Sequence, residues 1–519
     1  MKFVSGIGND YIDEISSDAS GNLYVSCTAT SAETNYFGTT AANSLSASIQ
    51  KLNASGELLW RSASHQIIPG LLVSAIYPSA SGDFYMLASV QSTITIGTST
   101  FAPSDELKTI VLKTNSSFTP IWAVPISGPG LIGSGISINA SGDVALEGLF
   151  TGAQLTVGNQ SVNNFVADYA DAYFAGINSQ GNVIFLNKMG GGSADNSQGS
   201  VIDNQGNRYF AVSSMSPQTY FGDTYFDSFG DTDAFLIKFS PSGTMEWIRH
   251  YGSDDTDSIG SLAIASNGDV LFAGLFDGSS ITFAPIQLSG VSTGCTYVAR
   301  VTPNGDAVFA RKGVSNSGVQ SFVGDLGVDA EQNIYLSGSV KGNAANFGNG
   351  ITHTAVGFGH GTFLMKINAD GTTDWLKTSG KTNSFAASKV HLTQDGDLYH
   401  VARFISATTT VDSVVYPNQS ENSLHDGFLA KIGSESLVTE RFDIDSFTFF
   451  PNPAREILHV NGDFPNDFIP YYIYGIDGRV IRSANMSVVG NQSDIDVSAL
   501  ASGIYILKSE HFQTRFVKR

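Results

Sequence analysis

The sequence predicts an all-β chain, a ring of seven four-stranded units followed by a small β-sandwich, and three observations carry that reading. A turn phrase recurs seven times at intervals of 60 to 64 residues. A second hairpin follows it in most units, with an aromatic residue at a fixed distance from its glycine. The last unit lacks its fourth strand, while the chain opens with one to spare. Composition agrees: 55 glycines, 42% apolar residues and only 14% charged residues suit many short strands joined by turns.

The first phrase reads x-G-(N/D)-x-(Y/L). Its Asn/Asp position holds Asn22, Asp83, Asp143, Asn207, Asp269, Asn333 and Asp397, preceded by Gly21, Gly82, Gly142, Gly206, Gly268, Gln332 and Gly396. Glycine suits a turn position with positive φ, so Gln332 departs from the pattern. Apolar residues flank each turn at strand spacing, which makes it a β-hairpin. The second turn is Ser55-Gly56, Gln180-Gly181, Ser242-Gly243, Asn304-Gly305 and Asp370-Gly371, with an irregular version near Ser117. After these stand Trp60, Phe185, Trp247, Phe309 and Trp375, and Trp122 fills the slot of the irregular unit. All four tryptophans therefore share one structural position, expected to fill the interface between units. Repeats of this length with four antiparallel strands are blades of a β-propeller.

The seventh unit, 383–433, stops at its third strand, Phe428-Leu429-Ala430-Lys431-Ile432. The opening Met1-Lys2-Phe3-Val4-Ser5-Gly6 matches fourth-strand phrases such as Trp247-Ile248-Arg249-His250-Tyr251-Gly252, with Phe3 in the aromatic slot. The first strand should complete the last blade and bury two open edges, giving a seven-bladed β-propeller over 1–433. The phrases Asp18-Ala19-Ser20-Gly21-Asn22-Leu23-Tyr24 and Asp203-Asn204-Gln205-Gly206-Asn207-Arg208-Tyr209 resemble the bacterial β-propeller repeat family. That resemblance implies the fold and no activity.

A short polar linker, 434–445, precedes a change of character. Residues 446–519 alternate apolar and polar positions between turns and read as a small Ig-like β-sandwich. This tail holds Pro451-Asn452-Pro453 at its start, an aromatic strand leading to Gly478-Arg479 in its middle, Leu500-Ala501-Ser502-Gly503-Ile504-Tyr505 near its end, and closes on Lys518-Arg519. It is similar to the type A C-terminal sorting domain of the type IX secretion system of Bacteroidetes. The resemblance implies docking on the outer-membrane translocon through Pro451, Asn452, Pro453, Gly478, Gly503, Tyr505, Lys518 and Arg519. It implies a protein secreted or attached to the outer cell surface.

The net charge of −20 excludes nucleic acid and anionic membranes as partners, since both need neutralising Lys and Arg. No run of 18 apolar residues is present, so no transmembrane helix is expected. Cys27 and Cys295 stand in distant repeats, which argues against a disulfide and against a thiol metal site. The first residues hold no apolar leader, and a signal peptide is expected to have been removed.

No familiar catalytic or nucleotide motif occurs, so the reading is a non-catalytic binding propeller for a glycan or protein ligand. The alternative is an extracellular polysaccharide-degrading enzyme, for which Glu147 is the candidate general base. Propellers bind at one face, where long loops gather. Loops between strands two and three of the third and fourth units offer Asp168, Tyr169, Tyr225, Phe226, Asp227 and Phe229 as ligand-binding residues, rings for stacking and carboxylates beside them. Asp223, Asp231, Asp254 and Asp257 are candidates for Ca²⁺, which takes oxygen ligands. His391 and His400 flank one turn: a two-residue loop would set them side by side, and a longer bulged loop would turn them to opposite faces.

Overall fold

The computed structural model describes residues 2–519 except 32, 43–46, 105–106, 291–293, 315–318, 342–344, 354–359, 383–387, 406–407, 412–413, 419–423, 434–446, 463–467, 476–479 and 510–512. The expected linker thus lies outside the described residues. The chain divides into two compact units, Met1–Ile432 and Gly433–Arg519. Among the described residues the fold is all-β, with one four-residue helix at Ser64–Ile67.

The first unit is a succession of four-stranded antiparallel meanders. Asp195–Ile202, Arg208–Ser214, Asp233–Phe239 and Met245–Tyr251 pair in chain order, and the next two sheets repeat the arrangement. A β-bulge interrupts the first strand of six successive sheets, at Ile12/Glu14, Val73/Ala75, Ile132/Ser134, Ser197/Gly199, Ile259/Ser261 and Val323/Asp325. A bulge adds twist and re-aims the residue after it. Each first strand packs against the neighbouring sheet, and Ser388–Leu392 packs against Asp10–Ser17.

The turns explain the repeated phrase. Asp203 Oδ1 accepts the amides of Gln205 and Asn207 at 3.0 and 2.8 Å, and Gly206 sits at φ +87°. An Asx turn of this kind fixes the hairpin from one side chain. Gln332 adopts the same left-handed conformation, φ +68°, and its amide oxygen accepts a hydrogen bond from the Arg300 guanidinium. The tryptophans link sheets: the indoles of Trp122 and Trp247 donate to the carbonyls of Ser179 and Pro303 in the following sheet, each at 3.1 Å.

Segments expected as loops between strands two and three are short hairpins instead. Gln218–Phe221 pairs with Thr224–Asp227, and Gln154–Val157 with Gln160–Asn163. These hairpins extend the preceding sheet: Gln154–Val157 adds to Pro120–Ser127, and Gln218–Phe221 to Val183–Gly191. Each addition covers what would be an open strand edge.

The opening strand Lys2–Gly6 pairs antiparallel with Asp426–Ile432, Phe3 opposite Phe428, and its other edge pairs with Glu33–Tyr36. In the last sheet, His391 lies opposite Tyr399 and His400 opposite Val390. The two histidines therefore face opposite ways across the five-residue turn and share no ligand. His400 Nε2 meets Ser388 Oγ at 2.7 Å, and His391 Nε2 meets Ser17 Oγ at 2.8 Å. Burial pushes both imidazoles down to about 4.

The second unit has strand order Phe447–Phe450, Ile457–Gly462, Gln492–Asp496, Val480–Val489, Phe468–Gly475, Gly503–Ser509, Gln513–Lys518. Its core gathers Leu458, Val460, Ile469, Ile473, Leu507 and Phe516.

Candidate functional site

Two places in the first unit concentrate chemistry. The first is the rim, built around buried aspartates that open third strands. Asp171 Oδ2 accepts the Phe165 amide at 2.8 Å and Lys188 Nζ at 3.3 Å, while Lys188 lies over the Phe165 ring. One sheet on, the construction recurs. Asp233 Oδ2 accepts the Phe229 amide at 2.8 Å and faces His250 Nε2 at 2.6 Å, while the imidazole stacks between Phe229 and Phe235 at 4.3 Å from each. An aromatic residue thus caps a buried carboxylate with its amide and covers that carboxylate's basic partner with its ring.

From these anchors a line of rings runs outward. Phe165 lies 5.4 Å from Tyr220, and Tyr220 lies 5.8 Å from Tyr225. Tyr225 is 53% exposed and Phe229 60%, too much for local core residues. Phe226 turns inward against Phe235 and His250. Tyr169 is exposed, and Asp168, also exposed, holds a left-handed backbone at φ +79°. Asp227 is exposed and accepts a bond from Gln218 Nε2. The structure therefore joins Tyr225 to Tyr220 and Phe165, and Phe226 to Phe229 through His250.

The four aspartates proposed for Ca²⁺ do not form one site. Asp223 is exposed in a hairpin turn, and Asp231 is exposed with its amide bonded to the Asp255 carbonyl. Asp254 accepts the amide and hydroxyl of Ser279, which hold its carboxyl below the usual range. Asp257 is fully buried and accepts the amide and hydroxyl of Ser253. Among the described residues no group of three His, Cys, Asp or Glu is placed to hold a metal.

The second place is formed by the first strands, where residues just after the bulges of neighbouring sheets meet. Asp325 Oδ1 accepts Ser261 Oγ at 2.8 Å, and its Oδ2 accepts the Val390 amide at 3.2 Å. Lys389 pairs with Glu14 across 375 residues of sequence. Gly135 leaves room for Glu147, whose Oε1 would stand 2.0 Å from a Cβ there. Burial raises the Glu147 and Glu14 carboxyls and the Tyr77 hydroxyl; Glu14, Glu147 and Asp325 add to the rise at Tyr77. Such groups favour their protonated forms, the state a general acid needs.

Sequence reasoning missed Phe165, Lys188, Tyr220, Asp233 and His250. The phrases Asp171-Ala172-Tyr173-Phe174 and Asp233-Ala234-Phe235-Leu236, each opening a third strand, were the available signal.

In the tail, the ends of the expected signal meet. Asn452 Nδ2 donates to the Arg515 carbonyl at 3.1 Å, and its Oδ1 accepts the Val517 amide at 2.9 Å. The Arg519 amide bonds the Ala454 carbonyl, Lys518 Nζ reaches the Arg519 carbonyl, and Lys518 pairs with Gly503. Tyr505 stacks on Phe516 and donates to the Ala501 carbonyl. Pro451 and Pro453 flank Asn452 in sequence, and Gly478 lies outside the described residues.

Among solved structures the chain is similar to phage phi92 endosialidase, with 12% identity, a TM-score of 0.37, and coverage of 99% of this chain and 86% of that one. It is also similar to polysaccharide lyase Uly1, with 11% identity, a TM-score of 0.35, and coverage of 83% and 91%. A Dyadobacter fermentans protein of unknown function matches with 8% identity, a TM-score of 0.33, and coverage of 73% and 95%. Likenesses this distant say nothing of activity. No curated protein matches the chain. Among the described residues no helix is long and apolar enough to cross a membrane. Residues 448–519 match the secretion system C-terminal sorting domain family. With Asn452 tied to the final strand and that match over the whole tail, the chain ends in a type IX secretion sorting domain, which implies a secreted or cell-surface protein.

Proposed function

We propose that residues 1–433 form a seven-bladed β-propeller, closed by Lys2–Gly6, that binds a glycan or protein ligand outside the cell. The tail 446–519 is then an Ig-like sandwich that docks on the translocon, with 434–445 as the joint. Ring closure is supported by the pairing of Phe3 with Phe428 and by the Lys389–Glu14 contact between the last and first inner strands.

The observation that carries binding is the exposed aromatic rim, Tyr225 and Phe229 above all. Phe229, held by its amide on buried Asp233, and Tyr225, packed on Tyr220, offer stacking area with little conformational freedom to lose. A glycan array with the purified full chain, with and without Ca²⁺, tests this. Tyr225→Ala with Phe229→Ala should lower any hit at least tenfold, a loss of about 1.4 kcal/mol. An unchanged hit places the ligand elsewhere. Glu147, on a second strand and raised by burial, favours the second reading, a polysaccharide-degrading enzyme. Loss of polysaccharide cleavage in Glu147→Gln with glycan binding intact would select it.

A further inference from the structure

The rim loop carrying Phe229 rests on a seam between two sheets where negative charge is not balanced. Thr232 bridges Thr256 in parallel, and the Asp257 amide donates to the Thr232 carbonyl at 2.8 Å, which sets Asp233 and Asp257 side by side. Both are essentially fully buried, and in each the Oδ1 atom has no hydrogen-bond donor. Asp277 also faces Asp257, with its own Oδ1 undonated. The other groups around the pair are the Ser253 hydroxyl, His250, Tyr297 and, near Asp277, Asp255.

The preceding seam shows what is missing. There Asp171, whose Oδ1 is likewise undonated, pairs with Lys188 at 3.3 Å, and both oxygens of Asp195 accept serine hydroxyls, from Ser214 and Ser216, although burial still lifts Asp195 to about 6. Lys188 and His250 occupy the same place, three residues after Phe185 and Trp247 in the aromatic slot. A histidine thus stands where the sister sheet keeps a lysine. Two buried carboxyls set side by side by the backbone raise each other's cost of ionising.

We propose that Asp233, His250 and Asp257 form a proton-operated latch on the rim loop 228–232. With a proton held at the seam, Phe229 stays docked through its amide on Asp233 and its ring on His250. When the proton leaves, the carboxylates repel and the loop comes free. Burial and the neighbouring acids lift Asp257 to about 7, so the change falls near neutrality. The effect on ligand binding rests on the rim reading above; the latch itself does not.

The test is thermal unfolding of the full chain between about pH 5 and about pH 8.5, with hydrogen exchange at amides 229–232 corrected for intrinsic rate. A raised carboxyl contributes stability in its protonated form, present at low pH and lost as pH rises through about 7. The wild-type midpoint should fall over that window while exchange at 229–232 rises. Asp257→Asn should hold both near their acid values, and His250→Lys should flatten the same slope. A wild-type slope kept in both variants overturns the latch. So does full recovery of the alkaline midpoint with millimolar Ca²⁺, which would mark a cation site instead. No arm uses a ligand, so failure of the latch and failure of rim binding are seen separately; the array repeated at both pH values links them.

Discussion

Glu147 shows how one side chain can carry a functional question. It leaves a second strand, crosses the space above Gly135, and comes to rest where burial favours its neutral form. Its folded-state pKa is raised, so its contribution to stability is present at low pH and is lost as pH rises. Glu147→Gln keeps shape and removes the charge; its unfolding midpoint at alkaline pH should equal or exceed that of the parent. A lower midpoint in urea would mean that the carboxylate makes a bond the glutamine cannot replace. The residue was visible in the sequence only as a charged exception in an apolar slot. The cluster of Glu14, Tyr77 and Asp325 was not visible, because the bulges that re-aim their strands are announced by no local pattern.

At the scale of elements, the hairpin turns were legible because Asx geometry and glycine are local chemistry. Asp203 and Gly206 declare their turn within a few residues. The tryptophan slot was legible for the same reason, and Trp122 and Trp247 do reach the next sheet. The short hairpins between second and third strands were not. Their strands have four residues or fewer, too short for alternation to be recognised, and their pairing with the preceding sheet is a long-range choice. The rim loop gives a sharper test of element packing. A Cβ on Gly252 would stand 2.6 Å from the Phe229 ring and 2.7 Å from Asp233 Oδ1. Gly252→Ala should cost about 1–3 kcal/mol in denaturant unfolding by overpacking. It should also raise exchange at 229–232; a neutral result would mean that the loop does not sit on that glycine.

For the whole first unit, the pairing of Lys2–Gly6 with both Asp426–Ile432 and Glu33–Tyr36 has the largest reach. Val4 is fully buried there, and Phe3 meets Phe404 edge-on at 6.4 Å. Deleting residues 2–6 should expose two strand edges at once, broaden the unfolding transition, and drive concentration-dependent association. A peptide of residues 1–9 added in trans should restore the sharp transition. A deletion variant that melts like the parent and stays monomeric would show the strand to be dispensable.

The strand Asp426–Ile432 also sets how the molecule bears tension. It is the last of the first unit, so any pull on the chain beyond Ile432 enters there. It is flanked by Leu398–Phe404 on one side and Lys2–Gly6 on the other. Drawing it out means breaking two ladders together, whereas a strand at a sheet margin would peel from one. Tension entering from the tail would therefore be carried through the middle of a sheet.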